Sequence, residues 1–204
     1  MNLDEERARA PMAPEDLARR LSGRSIVLVG MPGAGKSSVG RRLGRRLNLA
    51  FVDADEEIEK AAGMSIPDIF AQRGEAEFRE GEKRVVARLL QSGPLVLATG
   101  GGAFMNPDTR AAVAARAVSV WLRADLATLL KRVKKRTDRP LLAQGDPAER
   151  LQALLAQRGA TYALADVVVD SRDVMHDTVV EEVVEAVARH LDRHAAPPAE
   201  TSQG

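Results

Sequence analysis

The chain has 204 residues, 45% of them hydrophobic and 29% charged, which suits one compact soluble domain with a sizeable core. Thirty basic residues against 29 acidic ones leave a formal net charge of +1, too even for the lasting basic excess of a nucleic-acid binder. With no cysteine, disulfides, thiolate chemistry and Cys-based zinc sites are excluded, and no apolar run approaches the roughly 20 residues a membrane-spanning helix needs.

In chain order, the first segment, MNLDEERARAPMAPEDLARRL, is charged and Ala-rich, with a short helix possible after Pro14. It has no apolar signal-peptide core, so a cytoplasmic protein is expected. Residues 1–22 are read as an extension, 23–194 as the single domain and 195–204 as a disordered tail. Within the domain, β-like runs fall at Ser25 to Gly30, Ala50 to Asp53, Leu95 to Thr99, Ala117 to Leu122 and Asp166 to Asp170. Each is nearly all apolar, as strands buried on both faces should be. Helical patterns fall at Lys36 to Leu47, Asp55 to Ala62, Ile66 to Gln72, Glu75 to Leu90, Asp125 to Lys135, Ala148 to Ala160 and Thr178 to Leu191. The alternation predicts an α/β fold, a five-stranded parallel sheet between two helical layers. The stretch RTDRPLLAQGDPAER, with Pro140, Gly145 and Pro147, reads as a mobile cover.

Behind the first apolar run stands GMPGAGKSS, and Gly30-x4-Gly35-Lys36-Ser37 matches the phosphate-binding loop in the required strand–turn–helix setting. Gly33, Ala34 and Gly35 can turn successive N–H groups toward an anion, Lys36 reaches the outer phosphates, and Ser37 and Ser38 follow at the helix start. The bland alternative is a glycine turn that binds nothing. The loop alone does not separate a kinase from an ATPase or GTPase.

At the end of the second run, Asp53 and Asp55 are two apart and project to one side of an extended chain. One suits Mg2+ held through water and the other an attacking hydroxyl; helix N-capping is the competing reading. Gly100, Gly101 and Gly102 follow the third run, where bare backbone lets a ligand approach closely. Arg79, Arg139 and Arg158 carry forked guanidinium groups suited to carboxylates and phosphates. Arg41, Arg42, Arg45 and Arg46, and the KRVKKR run apart from Arg132, are read as solvated surface. His190 and His194 could share a metal, but surface residues near a fraying helix end are the simpler expectation.

Together the motifs GMPGAGKSSVGRRL, FVDADEEIE, SIPDIFAQRGEAEFREGE, GGGA, and RPLL followed by QRGATY resemble the shikimate kinase family, in family order, from about Ser25 to His190. The resemblance implies ATP-dependent phosphorylation of the 3-hydroxyl of shikimate by a monomer, with one Mg2+ ion and ATP as co-substrate, and no nucleic-acid or membrane partner. It implies that Lys36 and Ser37 serve the nucleotide phosphates and the metal, with Asp53 holding Mg2+ through water. Asp55 would bind the shikimate hydroxyls, Arg79 and Arg158 the substrate carboxylate, and Gly100, Gly101 and Gly102 the pocket wall. Arg139 would fold over the phosphates, and Arg132 would stack on adenine. One departure stands out: where the family commonly has proline, seven positions beyond the valine of Val169–Asp170, this chain has His176.

The rival readings are a gluconate or nucleoside monophosphate kinase on the same scaffold, a switch or motor NTPase, and a binding protein that has lost activity. The Asp-x-Asp pair suits a polyol, no Asn-Lys-x-Asp guanine-reading segment is present, and Lys36, Ser37, Asp53 and Asp55 are intact.

Overall fold

The computed structural model describes residues 14–133 and 146–194. The elements in chain order are α1 (Pro14–Arg20), β1 (Ser25–Val29), α2 (Lys36–Leu47), β2 (Ala50–Asp53), α3 (Ala54–Ala62), α4 (Ile66–Gln91) and β3 (Leu95–Ala98). A 3-10 turn at Ala103–Met105 leads to α5 (Pro107–Arg116), β4 (Ala117–Arg123), α6 (Leu126–Val133), α7 (Pro147–Tyr162), β5 (Val167–Asp170) and α8 (His176–His194). The five strands form one sheet in the order β2-β3-β1-β4-β5, every pairing parallel. The fold class and the strand positions agree with the sequence reading to within a residue or so.

The sheet centre is apolar on both faces because helices cover both. Ile26, Val27, Leu28 and Val29 of β1 and Val96 and Leu97 of β3 are fully buried. The edges differ from the expectation of uniformly buried strands. Along β5 burial alternates, with Val168 exposed, and β2 is only partly covered. An edge strand needs one apolar face, not two.

Helix α1 corrects the boundary placed after residue 22. Leu17 and Leu21 lie in the main core, and Arg20 reaches across to the Ala188 carbonyl at 3.0 Å and to Asp192 on α8. The arginines of α2 are less free than expected, since Arg41 pairs with Glu56 and Arg46 with Glu181 on α8. His190 is buried rather than at the surface, its ring stacked 4.3 Å from that of His194. Among the described residues no group of three or more His, Asp or Glu side chains is arranged to hold a metal ion.

Register places the functional edge of the sheet. Asp53 of β2 lies opposite Ala98 of β3, and Ala98 opposite Leu28 of β1. The residues just past these positions therefore emerge together: the Asp-x-Asp pair, Thr99 with the glycines, and the phosphate loop. After β1 the chain builds β2 and β3 on one side and β4 and β5 on the other. That reversal leaves a crevice at the carboxyl ends of the strands. No helix among the described residues is long and apolar enough to cross a membrane.

Candidate active site

The crevice is a cleft of roughly 380 Å3 lined by Gly33, Gly35, Lys36, Ser37 and Ser38 of the phosphate loop and by Asp53, Asp55, Thr99 and Gly101. Arg132, Asp173, Val174 and His176 complete the lining.

Gly33 and Gly35 adopt φ of 88° and 95°, a left-handed conformation that strains any side chain. Gly35 is the N-cap of α2, and no side chain caps that helix. The N–H groups of its first turn and its positive dipole end suit an anion in the cleft. The back of the loop is tied down. The Ala34 carbonyl accepts from buried Ser171 Oγ at 2.7 Å and from Arg132 Nη1 at 3.3 Å. Arg132 Nη1 also donates to Ser171 Oγ at 2.8 Å, so α6 and the end of β5 brace the loop through one hydroxyl. The Lys36 ammonium donates to the Gly30 and Met31 carbonyls at 2.8 and 3.0 Å, which keeps it at the loop's centre.

Asp53 caps α3 and also meets the phosphate loop. Its Oδ1 accepts the Asp55 N–H at 3.1 Å, capping α3, while its Oδ2 accepts from Ser37 Oγ at 2.6 Å. Two hard oxygen donors on the cleft wall fit a Mg2+ ion, which keeps several waters and takes few protein ligands.

Asp55 lies in the first turn of α3 and lines the same cleft. A Cβ on Gly100 would sit 2.8 Å from Asp55 Oδ1 and 2.7 Å from Glu82 Oε1, so the two carboxyl groups press on bare backbone. A Cβ on Gly102 would collide with the Arg79 guanidinium at 2.6 Å, and one on Gly101 with Pro32 of the phosphate loop at 2.8 Å. Each of the three glycines thus has its own neighbour to admit.

Two arginines flank this wall. Arg79 donates to Glu82 Oε2 at 2.7 Å and to Glu75 at 3.1 Å, both on its own helix. Arg158 Nη1 donates to the Gly101 carbonyl at 3.0 Å. That carbonyl also accepts from the Tyr162 hydroxyl. Glu82 is almost wholly buried, and its Oε1 has no hydrogen-bond partner among the described residues. Burial pushes its carboxyl above the ordinary range, an effect Asp55 adds to and Arg79 and Arg158 oppose.

The structure therefore brings together Gly33, Ala34, Gly35, Lys36, Ser37, Ser38, Asp53, Asp55, Gly100, Gly101, Gly102, Arg79, Arg132 and Arg158. Arg139 lies outside the described residues. Glu82, Thr99, Tyr162 and Ser171 were not singled out from the sequence. Two of them had a readable signal: Glu82 stands three residues after Arg79, and Tyr162 four after Arg158, the spacings that share a helix face.

Comparison with known proteins agrees with this geometry. The family model described as shikimate kinase matches residues 32–188. A shikimate kinase of Bradyrhizobium diazoefficiens is 55% identical over 193 residues, covering 93% of both chains. The solved shikimate kinase of Acinetobacter baumannii in complex with shikimate superposes with a TM-score of 0.80 at 33% identity, covering 85% of this chain and 97% of that one. The shikimate kinase of Aquifex aeolicus gives a TM-score of 0.70 at 34% identity, covering 80% and 96%. A phosphate loop and an aspartate pair that line one cleft, and likeness along most of the chain, place this protein in the shikimate kinase family.

Proposed function

We propose that the protein transfers the γ-phosphoryl group of ATP to the 3-hydroxyl of shikimate, giving shikimate 3-phosphate and ADP. The observation that carries this reading is that Asp55 lines the same cleft as the phosphate loop and lies against the glycine segment that Arg79 and Arg158 flank.

The Gly33 to Ser38 segment binds the nucleotide phosphates through backbone N–H groups and Lys36. Ser37 and Asp53 hold Mg2+, which when bound offsets charge on the phosphates. Asp55 accepts a hydrogen bond from the acceptor hydroxyl and aims its oxygen. In a loose phosphoryl-transfer transition state the proton leaves late, so aim counts for more than basicity. Arg79 and Arg158 orient the acceptor carboxylate, and Arg132, which lines the cleft, is assigned to the adenine by family resemblance. Arg139 is assigned to the phosphates by family resemblance alone. We further infer a cytoplasmic monomer.

The test is ADP release from Mg-ATP by the purified protein, with and without shikimate, and with gluconate as a second acceptor. Release that depends on shikimate and not on gluconate is expected. Release indifferent to shikimate would overturn the assignment.

A further inference from the structure

Two donors converge on one carbonyl oxygen at the acceptor wall. Arg158 and Tyr162 stand four residues apart on α7, on one face of the helix, and both donate to the Gly101 oxygen. Tyr162 is 1% exposed, and its ring stacks on Trp121 of β4 with centroids 5.8 Å apart. Trp121 in turn packs under the phosphate loop, its Cδ1 3.3 Å from where a Cβ on Gly30 would sit. The tyrosine is held from behind by the sheet and has its hydroxyl on the loop that forms the acceptor wall.

We infer that Tyr162 is a positioning residue for the acceptor: its hydroxyl fixes the Gly101 peptide and, through that shared oxygen, the orientation of the Arg158 guanidinium. This rests on the functional reading above and adds a residue to it. A buried phenol must find an acceptor, and here the acceptor is a backbone carbonyl of the binding wall rather than an incidental core group. A peptide unit is planar, so fixing its carbonyl fixes the adjoining N–H as well. Arg158 then needs only one N–H for Gly101, and the remaining fork is presented to a carboxylate in a set direction. Burial pushes the Tyr162 hydroxyl up to about 12, so it remains a donor throughout the working pH range.

Tyr162→Phe keeps the ring and its stacking and removes the donor. The KM for shikimate is expected to rise roughly fivefold, the scale of one net hydrogen bond, while kcat and the KM for ATP stay within about twofold. An acceptor KM within about twofold of the wild-type value, whatever happens to the melting temperature, would overturn the assignment. Trp121 is the only tryptophan in the sequence, so its emission reports the contact with Tyr162. If the variant does not fold, the wild-type protein decides: titration with shikimate should change Trp121 emission saturably, and a flat titration overturns the proposal. Wild-type turnover is measured first. Its failure with shikimate sinks the functional reading, whereas normal turnover with an unchanged variant KM sinks only the role of Tyr162.

Discussion

Asp53 divides its two carboxylate oxygens between two elements, capping α3 with one and meeting Ser37 with the other. Asp55 is thereby relieved of the capping task and can turn its carboxylate to the glycine wall. Asp55→Asn preserves size and hydrogen-bonding reach but removes the charge that aims the acceptor hydroxyl. Turnover should fall by about a hundredfold or more, with nucleotide binding by calorimetry nearly unchanged. Near-normal turnover would remove Asp55 from the chemistry. Arg158→Lys replaces a fork with a point charge that can meet either Gly101 or a carboxylate oxygen, but not in one fixed plane. The KM for shikimate should rise by about tenfold, and an unchanged KM would remove Arg158 from the acceptor site. These residues were legible in the sequence because glycines, paired aspartates and the lysine stand at fixed short spacings. Glu82 was not. An acid inside the charged run EFREGEK reads as solvated, and only the packing of α4 against the glycine wall shows it buried beside Arg79.

At the scale of elements, local punctuation was a better guide than overall composition. The apolar strands and the long helices stood out because burial imposes their periodicity. Helix α5 was missed, although Asn106 caps it by accepting from the Asp108 and Thr109 N–H groups and Pro107 opens its first turn. Its body, PDTRAAVAAR, buries only Thr109 and Val113, so no apolar stripe marks it. The two helical patterns on either side of Gly74 join as α4, broken at that glycine. Helix α1 was expected after Pro14, but its place in the core was not. Its charges dominate the sequence, while its energetic weight lies in Leu17 and Leu21, which close the core where α2 and α8 meet. Leu17→Ala should therefore cost about 2–5 kcal/mol in denaturant unfolding, as a buried leucine does. A loss near zero would show α1 to be dispensable to the fold.

For the whole molecule, the sheet order decides where chemistry can occur, and the distribution of buried titratable groups decides the pH at which the fold is most stable. The sequence showed that strands and helices alternate; it did not show that β1 lies between β3 and β4, because that order depends on contacts between distant segments. The same holds for His190, which four-residue spacing pairs with His194 but which only the packing of α8 on the sheet reveals as buried. Burial holds the His190 imidazole below its ordinary value of 6.5, with the nearby Asp166 opposing the shift and His194, Arg193 and Arg24 adding to it. The folded state therefore binds this proton less readily than the unfolded chain. Its stabilising contribution is present above pH 6.5 and is lost as pH falls through the lowered folded value. Glu82 has the opposite sign. Its carboxyl, raised chiefly by burial, favours the fold below the ordinary value of 4.5, and that contribution is lost as pH rises through the folded value. The two groups can be separated by melting temperature against pH. His190→Gln abolishes one titration, so its stability relative to wild type should improve as pH falls from about 8 to about 5. Glu82→Gln should improve relative to wild type in the other direction, as pH rises from about 4 toward neutrality. Parallel curves for wild type and His190→Gln would mean that His190 titrates alike in both states, and parallel curves for Glu82→Gln would mean the same of the buried acid.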